Sequence, residues 1–124
     1  MDRSAVQAWL DRYVHAWGSN DAGEIATLFT EDATYSYGPF REDVKGRDAI
    51  VSSWLEEPDE PGSWSAEYHP VAVEDDTAVA NGRSRYFHPD GSPRTEYDNI
   101  FLIRLDDDGR CVEFREWFVE RPEA

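Results

Sequence analysis

The chain carries hydrophobic residues at helical spacing in its first half and at strand spacing in its second half. Between residues 3 and 18, apolar side chains recur every three or four positions and so share one face of a helix. They are Val6, Trp9, Leu10, Tyr13, Val14 and Trp17. Asp21, a favourable N-cap, is followed three residues later by Glu24, which predicts the start of a second helix. That helix is expected to bury Ile25, Leu28 and Phe29.

The next segments predict a strand and then another helix. Residues 33–37 read as a short strand with Tyr35 and Tyr37 on the same side, because side chains alternate along a strand. Residues 41–46 are polar and predict an irregular connection. Apolar residues return at helical spacing over residues 47–55, which predicts a third helix.

From residue 64 onward the pattern is that of strands. The runs 64–73 and 77–88 are separated by an acidic turn, and Pro70 in the first run predicts an edge strand or a bulge. Residues 94–119 predict a hairpin that turns at 106–109, since Asp-Gly between apolar runs is a strong hairpin signal. Both faces of this hairpin are apolar, so both should be covered, one by the helices and the other by a second subunit.

These elements predict a single α+β domain over residues 1–124. Three helices interrupted by a short strand precede four long antiparallel strands, and helices collected on one face of an antiparallel sheet define this fold class. We expect a strongly curved sheet that wraps around the three helices as a cone. The mouth of the cone would be lined by aromatic side chains.

The composition excludes several kinds of partner. The formal charge is −15, from 27 acidic and 12 basic residues, so a nucleic acid or an anionic membrane surface would be repelled. No apolar run approaches the roughly 18 residues of a membrane-spanning helix, and the N-terminus lacks the order of a signal peptide. We therefore expect a cytoplasmic protein. The single cysteine, Cys111, allows no internal disulfide and has no metal-type spacing.

Motifs for metals and cofactors are absent from the sequence. The three histidines lack the HxxxH or HxH spacing that ligates a metal. There is no glycine-rich phosphate loop and no serine in a GxSxG motif. We expect a site that uses no metal and no cofactor.

Three stretches of the sequence carry a family resemblance: AWGSNDAGEIATLFTEDATY at 16–35, GRDAIVSSW at 46–54 and YDNIFLIRLDDDGRCVEFREWF at 97–118. With the order of elements, they resemble the nuclear transport factor 2-like superfamily, in particular its SnoaL-like, polyketide-cyclase-like branch. The resemblance implies a cone-shaped α+β fold. It leaves the function open, because this fold hosts isomerases, dehydratases, cyclases, epoxide hydrolases and non-catalytic binding domains.

Ketosteroid isomerase, a member of this superfamily, provides a first comparison. Its Arg-Tyr pair on the first helix is similar to Arg12-Tyr13, which implies that Tyr13 stands where that enzyme holds an oxyanion. Its general-base aspartate falls at Tyr37, and its second oxyanion acid falls at Phe101. Without a carboxylate at position 37, proton shuttling next to a ketone loses its base. The sequence is therefore not that of a ketosteroid isomerase.

Scytalone dehydratase provides a second comparison. Its short-strand tyrosine is similar to Tyr37 and its cavity asparagine to Asn99, while its two histidines correspond to His69 and His88. The aspartate that this enzyme places after the last aromatic residue of its first helix is Gly18 here. The resemblance thus implies a cavity histidine without the full set of dehydratase residues.

The alignment with ketosteroid isomerase also implies which hairpin residues face the cavity. The inward set is Tyr97, Asn99, Phe101, Ile103, Val112, Phe114, Glu116 and Phe118. The outward set is Ile100, Leu102 and Trp117. Apolar residues on an outer face suggest an interface, so we expect a homodimer built on this face of the sheet.

Glu116 is the strongest candidate for chemistry. A carboxyl group that faces an aromatic cavity has its charged form disfavoured, so its pKa rises and it can act as a general acid or base near neutral pH. The alternative is an ion pair with Arg85, Arg104 or Arg115 on a solvated part of the sheet.

The other candidates would hold a ligand. Tyr13 and Tyr37 are candidate catalytic residues that polarise the ligand, with ordinary core packing as the alternative. The predicted ligand-binding residues are Trp17, Tyr35, Trp54, Tyr97, Asn99, Phe101, Phe114, Phe118 and His88. For His88, which precedes a proline, the alternative is a solvated strand end.

The sequence leaves two functions open. One is an enzyme that cyclises, isomerises or dehydrates a small apolar or aromatic molecule by acid/base chemistry. The other is a non-catalytic ligand-binding or assembly domain, which fits the loss of both ketosteroid-isomerase carboxylates.

Overall fold

Helices at the N-terminal end and a single sheet make up the computed structural model, which describes residues 1–56, 58–60 and 62–122. The helices are α1 (Arg3–Ser19), α2 (Ala22–Ala26) and α3 (Arg47–Glu56). The strands are β1 (Phe29–Ser36), β2 (Val44–Lys45), β3 (Trp64–Glu74), β4 (Thr77–Phe87), β5 (Pro93–Leu105) and β6 (Cys111–Glu120). Within these residues no helix combines the length and the apolar character needed to cross a membrane.

The six strands form one curved, unclosed sheet in the order β2-β1-β6-β5-β4-β3, which confirms the predicted α+β fold. The long strands β3 to β6 are antiparallel to their neighbours in sequence. β1 joins this meander through a parallel pairing with β6, so the predicted hairpin lies in the middle of the sheet. β3 is an edge strand, and its pairing shifts register between Pro70 and Ala72, as Pro70 predicted.

The boundary between α2 and β1 differs from the prediction. Asp21 caps α2 by accepting a hydrogen bond from the Glu24 backbone N–H (3.0 Å), but the helix ends at Ala26. Leu28 and Phe29 are buried as expected, yet they lie outside the helix. Phe29 instead begins β1 and pairs with Cys111. The pairing partner is remote in sequence, so a local pattern of helical spacing could not reveal it.

Residues 41–46 contain a strand that the sequence analysis assigned to an irregular connection. Val44 and Lys45 form β2 and pair with Tyr35 and Thr34 of β1. Two residues are too few to show an alternating pattern, so only the neighbouring strand defines this element.

The predicted alternation is observed along β5 but is interrupted on β6. Phe101 and Ile103 are fully buried, whereas Ile100, the residue before Phe101, is exposed. A register shift next to Leu105 brings that residue opposite Cys111. Cys111 therefore occupies the buried position, and Val112, predicted to face inward, is only partly buried. An extra residue in one strand of a pair produces this change of side.

An aromatic core supports the concave face of the sheet. Trp9 of α1 is fully buried and donates its indole N–H to the Leu28 carbonyl (3.0 Å). Tyr13 stacks on Phe114, with ring centroids 5.4 Å apart, and also packs against Phe101 at 5.7 Å. These rings fix α1 against β5 and β6. They form the floor on which the candidate site is built.

Candidate functional site

An open cavity of about 870 Å³ lies above this floor, lined by residues of α1, α3 and five strands. All six tyrosines of the chain contribute to its wall. They are Tyr13, Tyr35, Tyr37, Tyr68, Tyr86 and Tyr97. The volume is within the range of small-molecule sites.

The structure brings together most of the residues that the sequence selected. Those that line the cavity are Tyr13, Trp17, Tyr35, Tyr37, Trp54, Tyr97, Asn99, Glu116 and Phe118. Phe101 and Phe114 are fully buried beneath the wall and support it rather than line it. His88 is exposed after the end of β4 and does not line the cavity, because the strand ends one residue before it. His69 is exposed as well.

Other lining residues were missed by the sequence analysis. They include Asn20, Arg41, Ser53, Tyr68, Ser84, Tyr86 and Arg94. Ser84 follows Ala78, Ala80 and Gly82 on the buried side of β4, so strand alternation could have identified it. Arg41 lies in the loop between β1 and β2, where no periodic pattern indicates a direction.

Glu116 lies on the inner face of β6, directly opposite Phe101 of β5. Burial among the aromatic rings raises the pKa of its carboxyl group to about 7, and the positive charge of Arg41 partly opposes this rise. Among the described residues no cation lies within 4.0 Å of the carboxylate. Arg85, one of the alternative partners, instead donates to Glu96 (2.5 Å). The carboxyl group is therefore poised to exchange a proton near neutral pH.

The raised pKa of Glu116 predicts a specific pH dependence of stability. The pKa rises from 4.5 to about 7 on folding, so between these values the folded chain binds more protons than the unfolded chain. The free energy of unfolding of the native chain should therefore fall with rising pH through this window, relative to Glu116→Gln. The difference should be constant above the window.

Urea unfolding of the native chain and of Glu116→Gln at a series of pH values measures this difference. Other titrating groups, such as Glu96, whose pKa is lowered by Arg121 and Arg85, contribute equally to both proteins. A difference that does not change with pH would show that Glu116 titrates normally.

Three phenols surround the inner end of the cavity as hydrogen-bond donors. The hydroxyl groups of Tyr13 and Tyr35 are 3.0 Å apart, and Tyr37 is hydrogen-bonded to Ser53. Burial raises the pKa of Tyr13 and Tyr35 well above the ordinary value, and the charge of Glu116 adds to the rise. Burial also raises the pKa of Tyr37. These phenols stay protonated at neutral pH, so they can donate hydrogen bonds but cannot serve as bases.

Asn99 presents an amide group to the cavity from β5. Its Oδ1 atom accepts a hydrogen bond from the Ser84 hydroxyl (3.0 Å). Its Nδ2 atom makes no hydrogen bond to any described residue and borders the cavity, so it is available to donate to a ligand oxygen. On the inner face Asn99 pairs with Phe118 while Phe101 pairs with Glu116, so Asn99 and Glu116 are diagonal neighbours.

The mouth of the cavity is aromatic and charged. The Trp17 indole donates to Asp59 (2.9 Å) and stacks on Trp64, with ring centroids 3.8 Å apart. The Arg94 guanidinium lies over the Tyr86 ring, 5.4 Å from its centroid. The mouth therefore offers aromatic faces and a guanidinium group to an entering ring.

The remaining side chains that could carry chemistry are possible metal ligands and the single thiol. Within the part of the chain that the structure describes, no cluster of three histidine, cysteine, aspartate or glutamate side chains is arranged to hold a metal ion. The thiol of Cys111 is buried in the core, and burial raises its pKa, so it has the properties of a structural side chain.

Comparisons with known proteins identify relatives of this fold. A family model described as "SnoaL-like domain" matches residues 10–114. A comparison with curated proteins gave no match. Among solved structures, the chain is similar to SalBIII, described as an epoxide hydrolase/cyclase-like enzyme with a role in pyran ring formation in the polyether salinomycin. The TM-score is 0.71 and the identity 17%, over 95% of this chain and 93% of that chain.

Proposed function

The chain belongs to the SnoaL-like domain family, and we propose that it is an enzyme that moves a proton on a small, ring-bearing molecule, with Glu116 as the general acid or base. The observation that supports this most strongly is the place of Glu116. Its carboxyl group lines an aromatic cavity, has a pKa of about 7, and is surrounded by protonated phenols. A general acid or base works best with a pKa near the working pH.

The arrangement supports a simple division of roles. The Glu116 carboxylate takes a proton from a carbon or hydroxyl group of the ligand and returns it later from its protonated form. In the Tyr13–Tyr35 pair one hydroxyl group donates to the other (3.0 Å), so the pair offers one O–H, strengthened by that hydrogen bond, to the ligand oxygen that gains negative charge in between. The amide N–H group of Asn99 orients a second ligand oxygen. The ligand is therefore expected to carry at least two oxygen atoms on a largely apolar skeleton.

This division favours cyclisation or isomerisation over a dehydration assisted by histidine. His69 and His88 are exposed outside the cavity, so the proposal assigns them no role. SalBIII has the same fold and is described as cyclase-like, which supports the same reaction class without defining the substrate.

Proton abstraction from nitrobenzisoxazole tests the proposal without knowledge of the natural substrate. A base removes the ring C–H proton, the N–O bond breaks, and the electron pair leaves on oxygen as a coloured cyanonitrophenolate. The proposed enzyme should accelerate this elimination over acetate buffer of the same pH. Binding of the probe, seen by tryptophan fluorescence, without any acceleration would favour a ligand-binding domain.

Replacing Tyr13 by phenylalanine should lower the rate of this elimination roughly tenfold. The hydroxyl group of Tyr13 is lost, while that of Tyr35 remains as a donor, which limits the effect. The matched variant Tyr97→Phe, at the mouth of the same cavity, should lower the rate clearly less than Tyr13→Phe, since Tyr97 lies outside the Tyr13–Tyr35 pair. Equal losses in both variants would contradict the role of the Tyr13–Tyr35 pair.

A further inference from the structure

Three buried polar side chains line the cavity from three neighbouring strands of the sheet. Tyr68 of β3, Ser84 of β4 and Asn99 of β5 are 6%, 3% and 5% exposed, and each borders the cavity. Buried polar groups need hydrogen-bond partners, either within the protein or on a ligand. The hydrogen bonds that these three side chains make to one another therefore define what remains for a ligand.

Gly82 allows the Tyr68 ring to lie across β4. In the sheet Tyr68 pairs with Gly82, and Gly82 pairs in turn with Asn99. A Cβ atom on Gly82 would lie 2.5 Å from the Cδ1 atom of Tyr68, so the ring takes the place of the missing side chain. The ring packs against Phe101 of β5, with ring centroids 4.6 Å apart. Its phenol is thus within hydrogen-bond reach of Ser84, the next residue of β4 on the same face.

The hydrogen bonds among these side chains run in one direction. Burial raises the pKa of the Tyr68 phenol above its ordinary value, and a hydrogen bond with Ser84 partly opposes the rise. The phenol is therefore protonated at neutral pH, and its O–H group makes no other hydrogen bond to a described residue, so it donates to the Ser84 Oγ atom. The single hydroxyl hydrogen of Ser84 is donated to the Oδ1 atom of Asn99 (3.0 Å).

The Asn99 amide is held in this way with its NH2 group toward the cavity. The Nδ2 atom makes no hydrogen bond to a described residue and borders the cavity. Turning the amide by half a rotation would place Nδ2 against Ser84, which would then face donors on both sides and have no acceptor for its own hydrogen. A ligand in the cavity therefore meets a donor at this place, and only an acceptor satisfies it.

We propose that Tyr68 and Ser84 are positioning residues that fix the Asn99 amide as a hydrogen-bond donor, so that the cavity selects ligands with a carbonyl-type oxygen at this place. Such an oxygen is the acceptor of a ketone, an ester or a lactone. A ligand of the same shape without the oxygen leaves the buried donor unpaired, and an ammonium group would face it donor to donor. The inference rests on the proposed function only through the role given there to Asn99, and not on Glu116 as the base.

Acetophenone and α-methylstyrene are matched probes, because they have the same shape and only acetophenone carries an oxygen acceptor. Proton–nitrogen NMR of the labelled native chain follows their binding. The chain has three asparagines and one glutamine, so the side-chain NH2 signals are few, and the signal of Asn99 is the one lost in Asn99→Ala. The native chain should bind acetophenone roughly tenfold more tightly, as one buried hydrogen bond allows, and only acetophenone should shift the Asn99 signal downfield.

Ser84→Ala should reduce this preference to about twofold or less, because the Asn99 amide can then rotate. Tyr68→Phe should reduce it to about threefold, since Ser84 can still donate to Oδ1. A general distortion of the cavity would weaken both probes equally and keep their ratio, so the ratio separates positioning from a merely structural role. The matched control is Ser65→Ala, an exposed serine of β3 outside the cavity, which should keep the native ratio. If Ser84→Ala does not fold, Tyr68→Phe carries the test.

Equal binding of the two probes by the native chain, or binding of neither, would overturn the proposal. A native preference that survives in Tyr68→Phe and in folded Ser84→Ala would overturn it as well. Nitrobenzisoxazole elimination distinguishes this inference from the acid/base function. A preference for acetophenone without any elimination would refute that function and leave the inference intact, whereas elimination without the preference would refute the inference alone.

Discussion

Glu116→Gln should slow the elimination of nitrobenzisoxazole at least about 100-fold, because general base catalysis contributes factors of this size. The glutamine side chain has the same shape and cannot accept the proton. The substitution also removes a carboxyl group whose ionisation is disfavoured by burial, so the fold should be at least as stable at pH 8. Loss of the rate with an unchanged or higher melting temperature is the expected combination.

The pH profile of the native chain provides a second readout of the same group. The carboxylate is the active form, so the rate should rise with pH and level off above a midpoint near 7. Tryptophan fluorescence should show a transition at the same midpoint, and Glu116→Gln should lack it. Trp54 lines the same cavity and lies against Tyr13, with ring centroids 5.1 Å apart, so it is positioned to report this titration.

Glu113→Gln is the matched control for this prediction. Glu113 lies on the same strand and pairs with Arg104, but it does not line the cavity. Its replacement should leave the rate and the pH midpoint unchanged. If Glu116→Gln retained most of the native rate, or if Glu113→Gln lost as much, Glu116 would not be the base.

Gly82→Ala should destabilise the chain by about 3 kcal/mol, at the upper end of the cost of overpacking. A Cβ atom on Gly82 would lie 2.0 Å from the Glu67 carbonyl oxygen and 2.7 Å from the Tyr68 Cα atom. Both are backbone atoms of the neighbouring strand β3, so no side-chain rotation relieves the clash. Relief requires β3 and β4 to separate where Gly82 pairs with Tyr68.

Thermal unfolding should show this effect as a fall in melting temperature of roughly 10 °C for a chain of this size. The control is Gly18→Ala, the same substitution near the end of α1. Its Cβ atom would lie 3.6 Å from the nearest atom of Trp64, an ordinary contact, and alanine favours a helix over glycine. Gly18→Ala should therefore keep or raise the melting temperature. A Gly82→Ala variant as stable as the native chain would show that β3 moves freely.

The local patterns of the sequence contained much of the fold. The apolar stripe of the first helix, the Asp21 cap and the Asp-Gly turn each depend on residues a few positions apart, and α1, α2 and the β5–β6 hairpin occur where these signals placed them. The resemblance to ketosteroid isomerase implied that Asn99 and Phe101 face inward, and both are buried along β5. Periodicity is a property of a single element, so it can be read without knowing the neighbours.

The candidate site was only partly predictable. Sequence reasoning selected Glu116 by its polarity within an apolar strand, and Tyr13, Tyr35 and Tyr37 by resemblance and position. It missed Ser84, which alternation along β4 could have indicated, and it missed Tyr68 and Tyr86, because these become lining residues only when β3 and β4 curve over the helices. It also placed Phe101 and Phe114 in the lining, although the phenol of Tyr13 lies above both rings and leaves them in the floor.

By itself the sequence determined the α+β order of elements, because each element follows from spacing within one segment. The inward face of β5 was implied by the resemblance to ketosteroid isomerase, since both faces of the hairpin are apolar. The tertiary structure alone decided that β1 pairs parallel to β6 and that β2 exists. It also decided that Arg41 borders the same cavity as Glu116 and that the carboxyl group has a pKa of about 7. Desolvation and charge depend on the groups that surround an atom in space, and those groups come from segments far apart in the chain.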